Sequence, residues 1–252
     1  MRFDVITLFP ELFAPFLAAG VTRRAYSTGQ VDVRLWNPRD YAQGNYRRVD
    51  DRPFGGGPGM VMMAEPLERC LADIRAQRNE APEAQVPLVL FSPIGRRLNH
   101  AEVEGWSASA GAVLLCGRYE GIDQRFIEAH VGVQLSLGDF VLSGGEIAAL
   151  ALLDAVTRLQ PGVLNDEGSH QLDSFNPALD GLLDCPHYTR PEEWAGRAVP
   201  APLMSGHHVQ IERWRRDQRL LTTAQHRPDL IDAARAAGSL KPADEAVLAK
   251  LR

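Results

Sequence analysis

Apolar residues before Pro161 form short continuous runs that are separated by stretches with helical spacing. A run that is apolar throughout is typical of a strand covered on both faces of a sheet, whereas Val31–Trp36 alternates apolar and polar residues. We predict five strands, at Phe3–Phe9, Val31–Trp36, Val86–Phe91, Ala112–Cys116 and Val131–Leu137.

The stretches between these strands have the apolar spacing of helices. We predict helices at Pro10–Ala19, from Val21 onward, and at Pro66–Asn79, Asn99–Ser107 and Ile147–Leu159. Pro66 falls in the first turn of its helix, where proline is tolerated. Because strands and helices alternate, we expect an α/β fold with a parallel sheet and helices on both faces.

A change of pattern after Pro161 predicts a second domain. The stretch Gly162–Leu172 is polar and has no period, which is typical of a domain boundary. A proline-rich segment follows it through Pro202, and helical spacing then returns at His207–Thr223, Pro228–Ala237 and near Ala243–Leu251. We therefore expect an α/β domain over 1–161, a linker over 162–172 and a small, mainly helical domain over 173–252.

Two glycine-rich loops, Gly117–Asp123 and Gly138–Glu146, each follow a predicted strand. Glycines let backbone groups approach a ligand closely, and parallel sheets bind ligands at the carboxyl ends of their strands. The dinucleotide and Walker fingerprints are both absent, so the expected ligand is one gripped by backbone groups, such as a purine. Ordinary α/β turns are the alternative for either loop taken alone.

Composition adds limits to this picture. With 252 residues, 45% hydrophobic and 23% charged, the chain has an ordinary globular balance. The net charge of −5 does not indicate a nucleic-acid binder, so any basic surface must be local. Arginines do cluster, and they could contact phosphates or form a solvated helix face with pairs such as Glu212–Arg216. The clustered arginines are Arg47, Arg48, Arg52, Arg96, Arg97, Arg213, Arg215, Arg216 and Arg219.

The cysteines and the apolar runs bear on where the protein works. Three widely spaced cysteines without a Cys-x-x-Cys motif favour reduced thiols. No run reaches the roughly 20 apolar residues that a membrane span needs, and we expect a cytoplasmic protein without a leader peptide. Cys185 and His187 lack a third ligand, so we predict no metal site.

Two further residues are candidates for chemistry, and each has a structural alternative. Arg158 ends the last α/β helix, but it is also four residues from Asp154 and could form a helix salt bridge. Asp173 follows the linker, but it could be a helix N-cap or a turn residue.

Seven motifs carry a family resemblance across nearly the whole chain. They are Leu8-Phe-Pro-Glu11, Trp36-Asn-Pro-Arg-Asp40, Asp50-Asp-Arg-Pro-Phe-Gly-Gly-Gly-Pro-Gly-Met60, Gly117-Arg-Tyr-Glu-Gly-Ile-Asp123, Gly138-Asp-Phe-Val-Leu-Ser-Gly-Gly-Glu146, Asp184-Cys-Pro-His-Tyr-Thr-Arg-Pro191 and Leu203-Met-Ser-Gly-His-His208. In this order they resemble the bacterial tRNA (guanine-N1)-methyltransferase (TrmD) family.

The resemblance implies a fold, a cofactor and a partner. The fold would be a SPOUT-type α/β domain with a deep trefoil knot, a rare exception to the rule against threaded chains. The protein would be a homodimer with its active sites at the subunit interface, would bind S-adenosyl-L-methionine in the knot, and would methylate N1 of guanosine at tRNA position 37. The implied cofactor contacts are Ser92, Pro93, Gly95, Gly117, Tyr119, Gly121, Leu137, Gly138, Asp139, Phe140, Val141, Leu142, Gly144 and Gly145.

The resemblance also implies roles in the reaction. Asp173 would remove the proton from guanine N1, and Arg158 would stabilise negative charge on O6. Glu120 would position the base or bind a cation, since the family is linked to magnesium. The implied substrate contacts are Arg52, Gly57, Gly59, Ser174 and His187.

Two features lead to further expectations. We expect Gly162–Leu172 to be disordered without tRNA and to fold over the site on binding. An insertion, Asn176-Pro-Ala-Leu179, departs from the family pattern after Asp173 and raises the question of local packing. Two rival functions stay open, a related methyltransferase acting on another nucleotide and a non-catalytic tRNA-binding scaffold.

Overall fold

The computed structural model describes residues 1–165 and 170–251. It divides into two compact units, Met1–Leu164 and Asn165–Arg252. Part of the expected linker, residues 166–169, lies outside the described residues, so its disorder and its ordering by tRNA stay predictions.

The first unit is built on a five-stranded sheet in which all neighbouring strands are parallel, in the order β2-β1-β6-β5-β7. A separate antiparallel hairpin is formed by β3 and β4. The predicted parallel α/β sheet is therefore confirmed. The strands of this unit are β1 Arg2–Ile6, β2 Asp32–Trp36, β3 Asp50–Asp51, β4 Val61–Met62, β5 Leu88–Arg97, β6 Gly111–Leu115 and β7 Val131–Ser136.

Helices cover both faces of this sheet, as alternation predicted. They are α1 Ala14–Ala18, α2 Arg23–Ser27, α3 Ala64–Arg78, α4 His100–Ser107, α5 Gln124–His130 and α6 Glu146–Thr157. Residues from α4 and α6 pack on one face, and residues from α3 and α5 pack on the other. Helix α5 was not predicted from the sequence, because this helix has seven residues and buries only Phe126.

The central strand β6 supplies core to both faces at once. Its five residues are all fully buried. Ala112 and Leu114 join the cluster that includes α6, whereas Val113 and Leu115 join the cluster that includes α3. This alternation follows from the two-residue period of a strand.

A buried ionic group lies near the amino ends of the strands. Asp4 is fully buried, and its carboxylate is 2.7 Å from Arg2 Nη2 and 2.6 Å from Arg78 Nη1. The indole N–H of Trp36 donates to the same carboxylate at 2.8 Å. Each oxygen of this buried carboxylate therefore has a charged or polar partner, as a buried charge requires.

Strand β5 runs further than predicted, because it resumes after an excursion. Phe91 and Arg96 both pair with Leu135 of β7, so the residues between them, 92–95, are looped out of the ladder. At the end of this excursion Gly95 lies so close to β7 that a Cβ would be 2.5 Å from the backbone nitrogen of Leu135. Only glycine fits this approach.

We expect Gly95→Ala to lower the free energy of unfolding by about 1–3 kcal/mol, because the added methyl group must displace backbone. Gly105 is the matched control, since it lies in α4 with open space around its Cα. Gly105→Ala should leave stability unchanged or raise it by about 0.4–1 kcal/mol. Urea unfolding followed by circular dichroism measures both, and equal effects would contradict the close approach.

The second unit is mainly helical. Its helices are α7 Ala201–Met204, α8 His208–His226, α9 Pro228–Ala236 and α10 Pro242–Leu248, and a short hairpin is formed by β8 Glu193–Trp194 and β9 Arg197–Ala198. The core contains Leu182, Leu220, Ile231 and Val247. The helices predicted in this region are therefore confirmed, with shifts of a few residues at their ends.

Arginines on α8 form ion pairs within this unit. The predicted pair Glu212–Arg216 is wrong: the guanidinium of Arg216 lies 2.6 Å from Asp180 and 3.0 Å from Asp244. Burial raises the pKa of Asp244, but hydrogen bonds from Arg216 and from the Lys241 N–H outweigh it and hold that pKa below its usual range. The other pairs on α8 are Arg213 with Asp217 and Asp244, Arg215 with Glu212, and Arg219 with Asp184. These arginines are therefore engaged in structural ion pairs.

Candidate active site

A cavity of about 280 Å³ lies at the carboxyl edge of the sheet. Its walls come from the end of β5, the loop after β6, the loop after β7 and the start of α6. The lining residues include Leu90–Pro93, Gly117–Ile122, Leu135–Gly138, Phe140–Gly145 and Ala148. Both glycine loops that the sequence singled out therefore meet at one cavity.

Twelve of the fourteen residues expected to contact the cofactor line this cavity, and Gly95 and Asp139 do not. Gly95 packs against the backbone of β7 instead. Asp139 is exposed, and its carboxylate forms an ion pair of 3.0 Å with Arg97. Contact of Gly95 and Asp139 with the cofactor stays a prediction.

The two loops touch although their strands are not neighbours. Strand β5 lies between β6 and β7, so the loop after β7 must cross the end of β5 to reach β6. The Gly145 N–H donates to the Gly117 carbonyl at 3.0 Å, and a Cβ on Gly145 would be 2.8 Å from the Cα of Cys116. The glycine at position 145 is what permits this crossing.

A charged pair that was not predicted from the sequence joins the two glycine-rich loops. Glu146 is only 1% exposed, and its carboxylate accepts hydrogen bonds from Arg118 Nε at 3.1 Å and from the Thr7 hydroxyl at 2.9 Å. Arg118 also donates to the Ser143 carbonyl at 3.1 Å. We call Thr7, Arg118, Ser143 and Glu146 the Glu146 network. The signal for it was a glutamate at the first position of an apolar helix.

Tyr119 has a backbone conformation that side chains rarely adopt. Its φ is +60°, in the left-handed region, and such strain is often kept at functional sites. Arg39 Nη2 lies 3.4 Å from the phenol oxygen. Burial and the nearby carboxylate of Asp50 raise the pKa of the Tyr119 phenol, so the side chain enters the cavity wall as a neutral group.

The β3–β4 hairpin is attached beside this cavity by backbone hydrogen bonds. The Met62 N–H donates to the Gly121 carbonyl at 2.8 Å, and the Glu120 N–H donates to the Met60 carbonyl at 3.0 Å. The hairpin is thus tied to the loop after β6, which lines the cavity.

The hairpin brings predicted substrate residues to Glu120. Gly59 lies against the Glu120 side chain, which a Cβ at position 59 would overlap. Gly57 and Arg52 belong to the same exposed hairpin loop. Of the expected substrate contacts, Gly59 is therefore placed beside Glu120 of the cavity wall.

Arg158 lies at the opposite end of α6 from the cavity. Gly145, the residue before the helix, lines the cavity, and α6 then runs for 12 residues to its C-cap at Arg158. At 1.5 Å per residue this places the two helix ends about 18 Å apart. The structure does not bring Arg158 to the cavity of its own chain.

In the second unit, Ser174 and His187 converge on Asp184. The Asp184 N–H donates to the Ser174 hydroxyl at 2.9 Å, and His187 Nε2 lies 2.8 Å from Asp184 Oδ2. Burial raises the pKa of Asp184, but hydrogen bonds from the Cys185 N–H, His187 and Arg219 outweigh it and hold that pKa below its usual range. Two expected substrate residues are therefore fixed around Asp184, Ser174 by its backbone N–H and His187 by its carboxylate.

Asp173 lies in a turn directly before this group. Its N–H reaches the His170 carbonyl at 3.4 Å, and its carbonyl accepts the Asn176 N–H at 3.2 Å. The backbone of Asp173 is therefore part of a turn, which was one of the structural alternatives for this residue. The role of Asp173 in catalysis stays a prediction.

The insertion after Phe175 is well packed. The Asn176 side chain donates to the His170 carbonyl at 3.1 Å and accepts the Ala178 N–H at 2.9 Å. Leu179 is buried. The insertion therefore stabilises the turn that carries Asp173.

No three His, Cys, Asp or Glu side chains within 1–165 and 170–251 are arranged to hold a metal ion. In the same ranges no helix has the length and apolar character to cross a membrane.

Comparison with known proteins shows the family to which the chain belongs. Residues 1–233 match the family described as tRNA (Guanine-1)-methyltransferase TrmD. The chain belongs to this family. The resemblance carried by the seven motifs is therefore confirmed.

Curated relatives match over the full length of the chain. A protein of Paracidovorax citrulli is 82% identical over 251 residues, covering 100% of this chain and 98% of the relative. One of Albidiferax ferrireducens is 72% identical over 249 residues, covering 99% of each, and one of Herminiimonas arsenicoxydans is 54% identical over 252 residues, covering 100% of each. All three are named tRNA (guanine-N(1)-)-methyltransferase.

Proposed function

We propose that the protein transfers a methyl group from S-adenosyl-L-methionine to N1 of guanosine at position 37 of tRNA, in the cytoplasm. The observation that carries the proposal is the cavity formed by the two glycine loops in a chain of this family. Twelve residues expected from the family resemblance line that one cavity.

The residues of the cavity fit such a cofactor. Leu90, Leu135 and Ala148 offer an apolar wall to an adenine ring. Among the residues that the structure describes, the backbone N–H groups of Val141 and Leu142 have no hydrogen-bond partner, so they can donate to ring nitrogens. The cofactor would supply a methyl group already activated by its sulfonium, which leaves alignment as the main task of the protein.

Guanine N1 carries a proton and is a poor nucleophile until that proton is removed. We assign the removal to the Asp173 carboxylate, acting as general base on a flipped-out base. Negative charge then develops on O6, and the guanidinium of Arg158 would stabilise it. Glu120, next to the hairpin, would hold the guanine or a magnesium ion there.

The location of Arg158 supports a dimer. Because it lies at the far end of α6, about 18 Å along the helix from the end that meets the cavity, it would serve the cavity of a second copy. Three large apolar side chains of the cavity lining, Phe140, Val141 and Leu142, are exposed. Exposed apolar surface of this kind is typical of an interface. A deep trefoil knot formed by the crossing loops belongs to the same proposal.

Methyl transfer into two tRNA transcripts tests the reaction. With labelled S-adenosyl-L-methionine, a transcript with guanosine at position 37 should accept label, and one with adenosine there should not. Equal labelling would move the target elsewhere on the tRNA. Absence of labelling with the cofactor still bound would favour the non-catalytic scaffold.

A further inference from the structure

We propose that Glu146 is a positioning residue that sets the affinity of the cavity for its cofactor, through the Glu146 network. The inference rests on the proposed function, since it concerns the same cavity. Glu146 does not line the cavity, so it would act through the loops that do.

Three separate chain segments meet at the Glu146 carboxylate. Thr7 follows β1, Arg118 belongs to the loop after β6, and Glu146 itself begins α6 at the end of the loop after β7. The Thr7 hydroxyl and Arg118 Nε both donate to Oε1, at 2.9 and 3.1 Å. A single buried carboxylate therefore joins both cavity loops to the sheet.

The loop after β7 has few other attachments. Among the described residues, the side-chain hydrogen bonds and ion pairs that connect 139–144 to the rest of the unit are the exposed Asp139–Arg97 pair and the bond from Arg118 to the Ser143 carbonyl. The exposed pair is worth little, because solvent screens it. The position of the loop that covers the cavity therefore depends on Arg118.

Arg118 is in turn held from several sides. Its guanidinium lies 4.4 Å from the centre of the Phe9 ring, a cation–π contact. A side chain at Gly144 would overlap both Arg118 and Glu146, so the glycine leaves room for the pair. These contacts hold the Arg118 guanidinium in one position beside Glu146.

The second carboxylate oxygen of Glu146 is held by its ion pair with Arg118. Oε2 is buried and has no aligned hydrogen-bond donor among the described residues, yet it lies 3.0 Å from Arg118 Nη2. The attraction between a carboxylate and a guanidinium does not require an aligned hydrogen bond. A glutamine at position 146 would instead place either an NH₂ group or an unpaired oxygen next to Arg118. Loss of the charge should therefore release Arg118, and with it the loop.

The test compares Glu146→Gln with Asp4→Asn, which removes a buried paired carboxylate near the amino ends of the strands. Calorimetric titration should give Glu146→Gln a dissociation constant for S-adenosyl-L-methionine raised about tenfold or more. Its KM for the cofactor should rise equally, with kcat at saturation changed less than about threefold. Asp4→Asn should destabilise the protein comparably and leave the dissociation constant unchanged.

Thr7→Val keeps the inference testable if Glu146→Gln does not fold. It removes one hydroxyl donor outside the cavity, and we expect the dissociation constant to rise about threefold. An unchanged dissociation constant in Glu146→Gln would overturn the inference. If Glu146→Gln does not fold, an unchanged dissociation constant in Thr7→Val would do so. An equal rise of the dissociation constant in Asp4→Asn would also overturn it. Failure of the unmodified protein to bind the cofactor would instead overturn the proposed function.

Discussion

Asp173→Asn is expected to reduce kcat for methylation of a transcript with guanosine at position 37 by roughly 10²–10⁴-fold. Asparagine has nearly the same shape as aspartate but cannot accept the N1 proton. Because Asp173 belongs to the second unit and the cavity to the first, the dissociation constant for S-adenosyl-L-methionine should not change. Single-turnover methyl transfer and calorimetry measure the two quantities separately.

Asp229→Asn is the matched control for this experiment. Asp229 is an exposed aspartate of α9 in the same unit, paired with Arg227 at 2.7 Å. Its replacement should leave methylation unchanged. If Asp173→Asn kept full activity, the general base would be another group. If it lost cofactor binding as well, Asp173 would have a structural role.

Two inactive variants should restore activity when their subunits are mixed. Asp173→Asn would keep the cavity but lack the base, whereas Gly117→Leu would keep the base but fill the cavity. A Cβ at Gly117 meets only side-chain ends, at 3.4 Å from Ile122 and 3.8 Å from Leu90, so the fold should tolerate the larger residue. In a mixed dimer, one site would combine an intact cavity with an intact Asp173.

The recovered activity should be about a quarter of that of the unmodified protein, since half of the dimers are mixed and each has one working site. Each variant alone should stay inactive at the same total concentration. Absence of recovery, with mixed dimers demonstrated by differently tagged subunits, would show that the cavity and Asp173 act within one chain. Sedimentation that finds only monomers would contradict the dimer itself.

Fold prediction from the sequence was best where apolar pattern and burial agree. The strand at Ala112–Cys116 is apolar on both faces and became the fully buried centre of the sheet. Where burial is weak, prediction failed, since α5 buries one residue and was missed. The end of β5 was also misplaced, because its excursion over 92–95 depends on contact with β7 rather than on local propensity.

For the site, short-range signals predicted which loops form the cavity but not how they are joined. Both glycine-rich loops, which contain Gly117 and Gly145, were recognised from residue types alone, and at Gly145 the close approach of the Cys116 backbone explains why glycine is needed. The network of Thr7 and Glu146 joins residues 139 positions apart, and no local pattern encodes such a contact. Similarly, Glu212 and Arg216 have ideal helix spacing, yet Arg216 pairs with Asp180 and Asp244, which the fold places closer.

By itself the sequence determined the alternation of strands and helices, the parallel sheet, the glycine loops at its carboxyl edge and the family. These features depend on periodicity and on residue types within a few positions of one another. Only the tertiary structure decided the strand order, the crossing of β5, the burial of Glu146 and the separation of Arg158 from its own cavity. Those features depend on contacts between segments far apart in the chain, whose geometry is set by the packing of the whole unit.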